Sequence, residues 1–202
     1  MDNSEKSLLK ILFEPFRYLS KYQTFIIGLT IILIAGVINS FANIHFDGVF
    51  DVHTGRPSSF IVFILEGYIN LIILTGSLVI LGKIFTKRNI DIVDFLGQQA
   101  LARWPLLISS MITLSEPYQK YCHLRSFREI QDFGLFSFNS YDNIMVSLSI
   151  ICLLLITIWT ILLMYKSFSK NYKVQGLKGI MLFILGSIFA EIFSKLVILR
   201  II

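Results

Sequence analysis

Two histidines and two aspartates fall close together in one short polar insert, His45-Phe46-Asp47-Gly48-Val49-Phe50-Asp51-Val52-His53. In an extended chain, residues i and i+2 point the same way. His45 therefore shares a face with Asp47, and Asp51 shares one with His53. A turn at Asp47-Gly48 would fold the two halves together. Two imidazoles and two carboxylates would then converge, a mixed nitrogen and oxygen set that suits zinc or another divalent transition metal. The plainer reading is a polar turn in which Asp47 and Asp51 cap helix ends and both histidines are wetted. Zinc sites ordinarily show tighter ligand spacing than this.

A second group of chemically capable residues lies within apolar sequence. Glu66 falls one to two turns into a long apolar run, with Asn70 one turn further on the same face. Arg103 stands before another apolar stretch. Glu191 and Lys195 lie at i,i+4, the favourable order for a helical pair. A charge in hydrocarbon costs several kcal/mol on any scale, so such residues face a bundle interior, pair, or neutralise. Arg103 matches Glu66 by type, although its expected depth argues against direct contact. Nucleophile elbows, His-Glu-x-x-His, phosphate-binding loops and dinucleotide glycine patterns are absent from the sequence. Gly48, Gly55, Gly97 and Gly134 read as isolated turn or packing glycines.

The elements that would position these residues are mostly membrane helices. Of 202 residues, 55% are hydrophobic and 15% charged, where a soluble domain carries about a quarter charged residues. The charges cluster between apolar runs, the pattern of a multi-span bundle. The net charge of +5 sits beside those runs, so membrane orientation explains it and nucleic acid is not an expected partner. Cys122 and Cys152 are expected at different depths, which argues against a disulfide. The opening residues lack the pattern of a cleavable signal, and Asn-x-Ser/Thr acceptors are absent from the sequence.

Residues 1–22 read as an amphipathic segment in the interface plane, with Leu9, Leu12, Phe13, Phe16 and Leu19 on one face and Pro15 breaking it. Residues 23–202 read as an all-α, five-helix transmembrane bundle. Span 1 covers Thr24 to about Ala42, and a loop fills 44–59. Span 2 covers Phe60 to Phe85, roughly 39 Å as a helix and so long enough to tilt. Residues 92–114 read as a kinked span 3, with Pro105 in its middle and a polar first half packed inside the bundle. The competing reading is a surface helix followed by a re-entrant segment. An aromatic-rich connection fills 115–143. Span 4 covers Ile144 to Tyr165 and span 5 Leu177 to Leu199. In span 5, Gly186, Ala190 and Ser194 recur every four residues as a close-packing face. Basic connections alternate along the chain, which places the N-terminus in the cytoplasm and the C-terminus outside a cell membrane.

Four segments give the chain a family likeness. They are Phe13-Glu14-Pro15-Phe16, the Phe46–His53 loop, Leu81-Gly82-Lys83 before a basic turn, and Ala102-Arg103-Trp104-Pro105. In these the chain resembles the bacterial branch of the Yip family, the Ypt-interacting membrane proteins. The resemblance implies five membrane helices, a cytoplasmic N-terminus and membrane location. Eukaryotic members carry an Asp-Leu-Tyr-Gly-Pro segment that this sequence lacks, so their Rab-binding role does not carry over, and the resemblance implies no defined activity.

Three functional readings follow. The first is a membrane scaffold or interaction protein whose partners are the lipid bilayer, other membrane proteins or further copies of itself. The second is a small transporter or permease component using Glu66, Arg103, Glu191 and Lys195. The third is a metal-dependent membrane enzyme built on His45, Asp47, Asp51 and His53, with a divalent metal as cofactor. The first needs no catalytic or transport site and is the expected one.

Overall fold

The computed structural model describes residues 12–55, 57–127 and 139–201. Residues 1–11 of the N-terminal amphipathic segment, Arg56 and the aromatics Phe133, Phe136 and Phe138 lie outside the described residues. The fold is all-α. Among the described residues, four helices are long and apolar enough to cross a membrane. These are α1 (Lys21–Ala42), α2 (Phe60–Thr86), α6 (Ser140–Tyr172) and α7 (Gly176–Ile201). Between α2 and α6 lie three shorter helices, α3 (Ile92–Leu101), α4 (Leu106–Thr113) and α5 (Glu116–Phe127). The chain is an all-helical membrane protein.

Span 3 departs from expectation. It is not one kinked helix but the pair α3 and α4, and Pro105 is the reason. Proline has no N–H to donate four residues back, so the ladder tightens to three-residue bonds across the break. Arg103 N–H donates to Ala100 O (3.1 Å), Trp104 N–H to Leu101 O (3.0 Å) and Leu106 N–H to Arg103 O (2.9 Å). The pair nevertheless runs the length of α1. At its start Asp91 pairs with Lys21, the first residue of α1. Just past its end Gln119 Nε2 donates to the carbonyl of Ala42, the last residue of α1, at 3.4 Å. The α3–α4 pair thus runs alongside α1 as a broken element beside the four long helices. As expected, the polar half is interior: Gln98, Gln99 and Arg103 are buried.

Local signals fix the helix ends. Ser20 and Gln23 form a reciprocal capping box at the start of α1. Asp91 caps α3 by accepting from Val93 and Asp94 N–H, and the hydrogen bond from Lys21 holds its carboxyl below the usual range. Asn43, Lys87 and Lys173, each at a φ between 51° and 54°, end α1, α2 and α6 in the left-handed conformation. Pro15 opens a short 3-10 turn, Pro15–Arg17, rather than bending a helix. Before it, Phe13 packs on Trp159 of α6, ring centroids 5.2 Å apart.

Small residues set the helix spacing, since lipid supplies no hydrophobic drive for helices to associate. The tightest crossing is α1 against α3. A Cβ on Gly28 would lie 2.6 Å from Leu101 N, and one on Gly97 would lie 2.9 Å from Phe25 Cα. Gly36 meets the backbone of Ile64 on α2 in the same way. On α7, Gly186 faces Leu78 of α2, its carbonyl accepts from Ser77 Oγ at 2.8 Å, and Ala190 and Ser194 are wholly buried. Polar side chains tie α3 to α6. Gln98 Oε1 accepts from Ser167 Oγ (3.1 Å) and Asn171 Nδ2 (2.9 Å), and Gln99 Nε2 donates to Met164 O (3.1 Å).

Glycine contacts of this kind predict opposite outcomes at two positions. Gly28→Leu forces α1 off α3 and should destabilise the detergent-solubilised protein by about 1–3 kcal/mol or more. Gly76 has open space around its would-be Cβ, so Gly76→Ala should be neutral or gain up to about 1 kcal/mol of helix propensity. Thermal melts read both. A Gly28→Leu melting temperature equal to wild type would show that this crossing is not close-packed.

Candidate functional site

The loop between α1 and α2 folds as a small hairpin across one end of the bundle. Its arms, β1 (Ile44–His45) and β2 (His53–Thr54), pair antiparallel with His45 opposite His53. Gly55 N–H donates to Asn43 O (3.1 Å) and closes the hairpin base. A Cβ on Gly55 would lie 2.3 Å from His45 Cδ2, so only glycine lets the return strand pass the imidazole.

Glu66 sits under the first arm. It projects from the second turn of α2 and is 1% exposed. Its Oε1 lies 2.7 Å from His45 Nδ1, and its Oε2 accepts the N–H of Phe46 at 2.9 Å. One turn deeper, Asn70 Nδ2 donates to Phe46 O (2.8 Å). Ser194 of α7 donates its hydroxyl to Asn70 Oδ1. Both polar groups of the Phe46 backbone are thus held by α2, and α7 is joined through Asn70. Hydrogen bonds to a carboxylate contribute about 1.5–3 kcal/mol each, more than neutral ones.

The second arm is held by α7. Phe50 N–H donates to Glu191 Oε2 at 3.0 Å. Lys195 Nζ lies 2.6 Å from Asp51 Oδ2 and 3.5 Å from Glu191 Oε1. Gly48 passes so close to the Glu191 carboxylate that a Cβ would lie 2.1 Å from Oε1. Val49 is buried and Phe46 and Phe50 half-buried, which seats the hairpin on apolar surface. Val52 is 44% exposed and does not share in that packing.

The hairpin does not gather the four expected metal ligands. His45 is engaged by Glu66, Asp51 by Lys195, and Asp47 lies 3.4 Å from His53 Nε2 as a separate, half-exposed pair. Among the described residues, no group of three or more His, Cys, Asp or Glu side chains is placed to hold a metal ion. His45 has its nearer partner on α2 and Asp51 on α7, while Asp47 pairs with His53 within the hairpin. The hairpin is anchored to α2 through Glu66 and Asn70 and to α7 through Glu191 and Lys195.

Of the intramembrane polar residues, Glu66, Asn70, Glu191 and Lys195 all converge on the hairpin. Arg103 does not join them. It is 4% exposed, and Nε and Nη2 of its guanidinium are buried with no hydrogen-bond partner. Ser194 and the Phe46 backbone complete the network and carry no sequence signal, since a serine in an apolar helix reads first as a packing residue. Beside the hairpin, a cleft of about 520 Å³ lies along α7, with Ile161 of α6 on its other wall. Ile161, Phe183, Ile188 and Ile192 line it, with Glu191, Lys195 and Asp51 at its rim. Comparison with protein-family models, curated proteins and solved structures gives no match.

Substitutions at Glu66 separate hydrogen bonding from packing. Glu66→Leu leaves the Phe46 N–H and the His45 ring nitrogen buried and unpaired, and should lower stability by about 3–5 kcal/mol. Glu66→Gln keeps an acceptor and should lose less than half of that. Asp51→Ala, at the half-exposed rim, should cost far less than either. Equal melting of the Leu and Gln variants in detergent would contradict this account of the carboxylate. Zinc, manganese and nickel should each leave the melting temperature unchanged, whereas a chelator-sensitive rise would restore the metal reading.

Proposed function

We propose that this protein is a multi-pass membrane scaffold or interaction protein with the five-pass architecture of the Yip family, acting through its membrane-embedded surface rather than through catalysis. The observation that carries the reading is the use made of the interior polar side chains. Glu66, Asn70, Glu191 and Lys195 are each bonded to the hairpin or to one another. They build a fixed cap instead of lining a passage, which removes the main support for a transporter. The engagement of His45 and Asp51 by α2 and α7 does the same for the enzyme reading. The cleft between α6 and α7 supports an interaction role, since its apolar walls and charged rim match an amphipathic occupant, an acyl chain below and a polar head at Lys195. The likeness of the four sequence segments to the Yip family agrees with this reading. The membrane is a cell membrane, with the N-terminus of α1 in the cytoplasm and the hairpin outside, as the basic connections favour.

Cysteine labelling in intact cells tests the orientation: Ser58→Cys should react with an impermeant reagent and Lys173→Cys should not. The function is tested by affinity purification from native membranes with lipids and proteins analysed together. Wild type should retain a defined lipid or membrane-protein partner, and Ile188→Trp, which fills the cleft, should lose it without a change in melting temperature. Solute flux into proteoliposomes that Glu66→Gln abolishes would overturn the scaffold reading in favour of transport.

A further inference from the structure

Arg103 presents a charge problem that the hairpin network leaves unsolved. It lies in the break between α3 and α4, 4% exposed. Nε and Nη2 are buried without a hydrogen-bond partner, and among the described residues no carboxylate pairs with it. Glu66, the nearest candidate by chemistry, has both oxygens engaged, one by His45 and one by the Phe46 N–H. A guanidinium stays charged in proteins, and an uncompensated buried charge costs several kcal/mol.

The side chain lines a cavity of about 30 Å³ between α1, α2 and the hairpin, together with Gly36, Asn39, Phe46, Phe63 and Gly67. Asn39 lines the same space and is 2% exposed, and a carboxamide has two N–H donors to offer there. No acidic residue is among the lining. A water needs about 10–15 Å³ of such space, so the pocket has room for a small species and little for a phosphate or carboxylate headgroup. A water would satisfy hydrogen-bonding groups but not the charge, whereas a monatomic anion satisfies both.

We infer that the Arg103 cavity binds one small monovalent anion, chloride in ordinary ionic conditions, as a buried counter-ion held by the guanidinium and the Asn39 amide. The inference does not depend on the scaffold reading, since it concerns a separate pocket that shares no lining residue with the cleft. The site explains why a residue as expensive as arginine can sit unpaired in the bundle. It also makes the fold itself sensitive to halide.

The test uses the full chain purified in detergent, melted in sodium gluconate with sodium chloride or bromide replacing it at constant ionic strength. Wild type should gain about 3–6 °C for each tenfold rise in chloride above its Kd. Bromide should act similarly and sulfate, which is too large, should not. Asn39→Asp places a carboxylate in the cavity. It should raise the melting temperature in gluconate and abolish the chloride response, and Arg103→Gln should abolish the response as well. If Arg103→Gln fails to fold, Asn39→Asp and the wild-type halide series decide the matter. A wild-type melting temperature identical in chloride and gluconate would mean the cavity holds water, and would overturn the proposal. So would an Asn39→Asp variant that keeps the full chloride response.

Discussion

A carboxylate cannot be left alone in hydrocarbon, and the structure is arranged around meeting that requirement at Glu66. The side chain is 1% exposed, so water does not reach it to solvate it. Its two oxygens are met by a ring nitrogen of His45 and the N–H of Phe46, so the chain leaving α1 must turn back over α2 at that point. Asn70 then takes the Phe46 carbonyl, and Ser194 takes Asn70. Each bond satisfies one polar group and fixes the next, which draws the hairpin, α2 and α7 into one unit. Removing any member leaves a buried donor or acceptor unpaired, a larger loss than the bond itself contributes.

Away from this network the helices associate through shape. Gly28 and Gly97 let α1 and α3 touch backbone to backbone, and Gly186 makes room on α7 for the Leu78 side chain of α2. These contacts hold α1 beside the α3–α4 pair over its whole length. Pro105 breaks that pair at a depth where the freed backbone groups are re-bonded by a tighter turn, which is how an interruption is tolerated inside a membrane bundle. The break also sets Arg103 in the interior, at the edge of a small cavity.

Much of this was legible in the sequence. Apolar run lengths locate α1, α2, α6 and α7 to within a few residues, except that α6 extends well beyond Tyr165 to Tyr172. That extension is built of polar and basic residues which hydropathy assigns to a turn. The spacing of Gly186, Ala190 and Ser194 identifies a packed face, and the cost of an ionised group in lipid places Glu66 inside. What the sequence does not carry is partner identity across long separations. Nothing local says that Phe50 meets Glu191, 141 positions away. The alternation of His45, Asp47, Asp51 and His53 suggested convergence because local spacing was the available guide, and tertiary partners on α2 and α7 separate those residues instead. The same holds for Gly48, which reads as a turn glycine and serves as the space through which the Glu191 carboxylate reaches the loop.

The central claim is that the hairpin is a bonded part of the bundle and not a solvated loop. Amide hydrogen exchange at Phe46 and Phe50, read by NMR on the phenylalanine-labelled protein in lipid nanodiscs, tests it directly. Both N–H groups donate to buried or half-buried carboxylates on different helices, so both should exchange as slowly as the buried Phe183 in the interior of α7. Exchange of Phe46 and Phe50 at the rate of an unprotected amide would contradict the account, because it would show that Glu66 and Glu191 do not hold the loop.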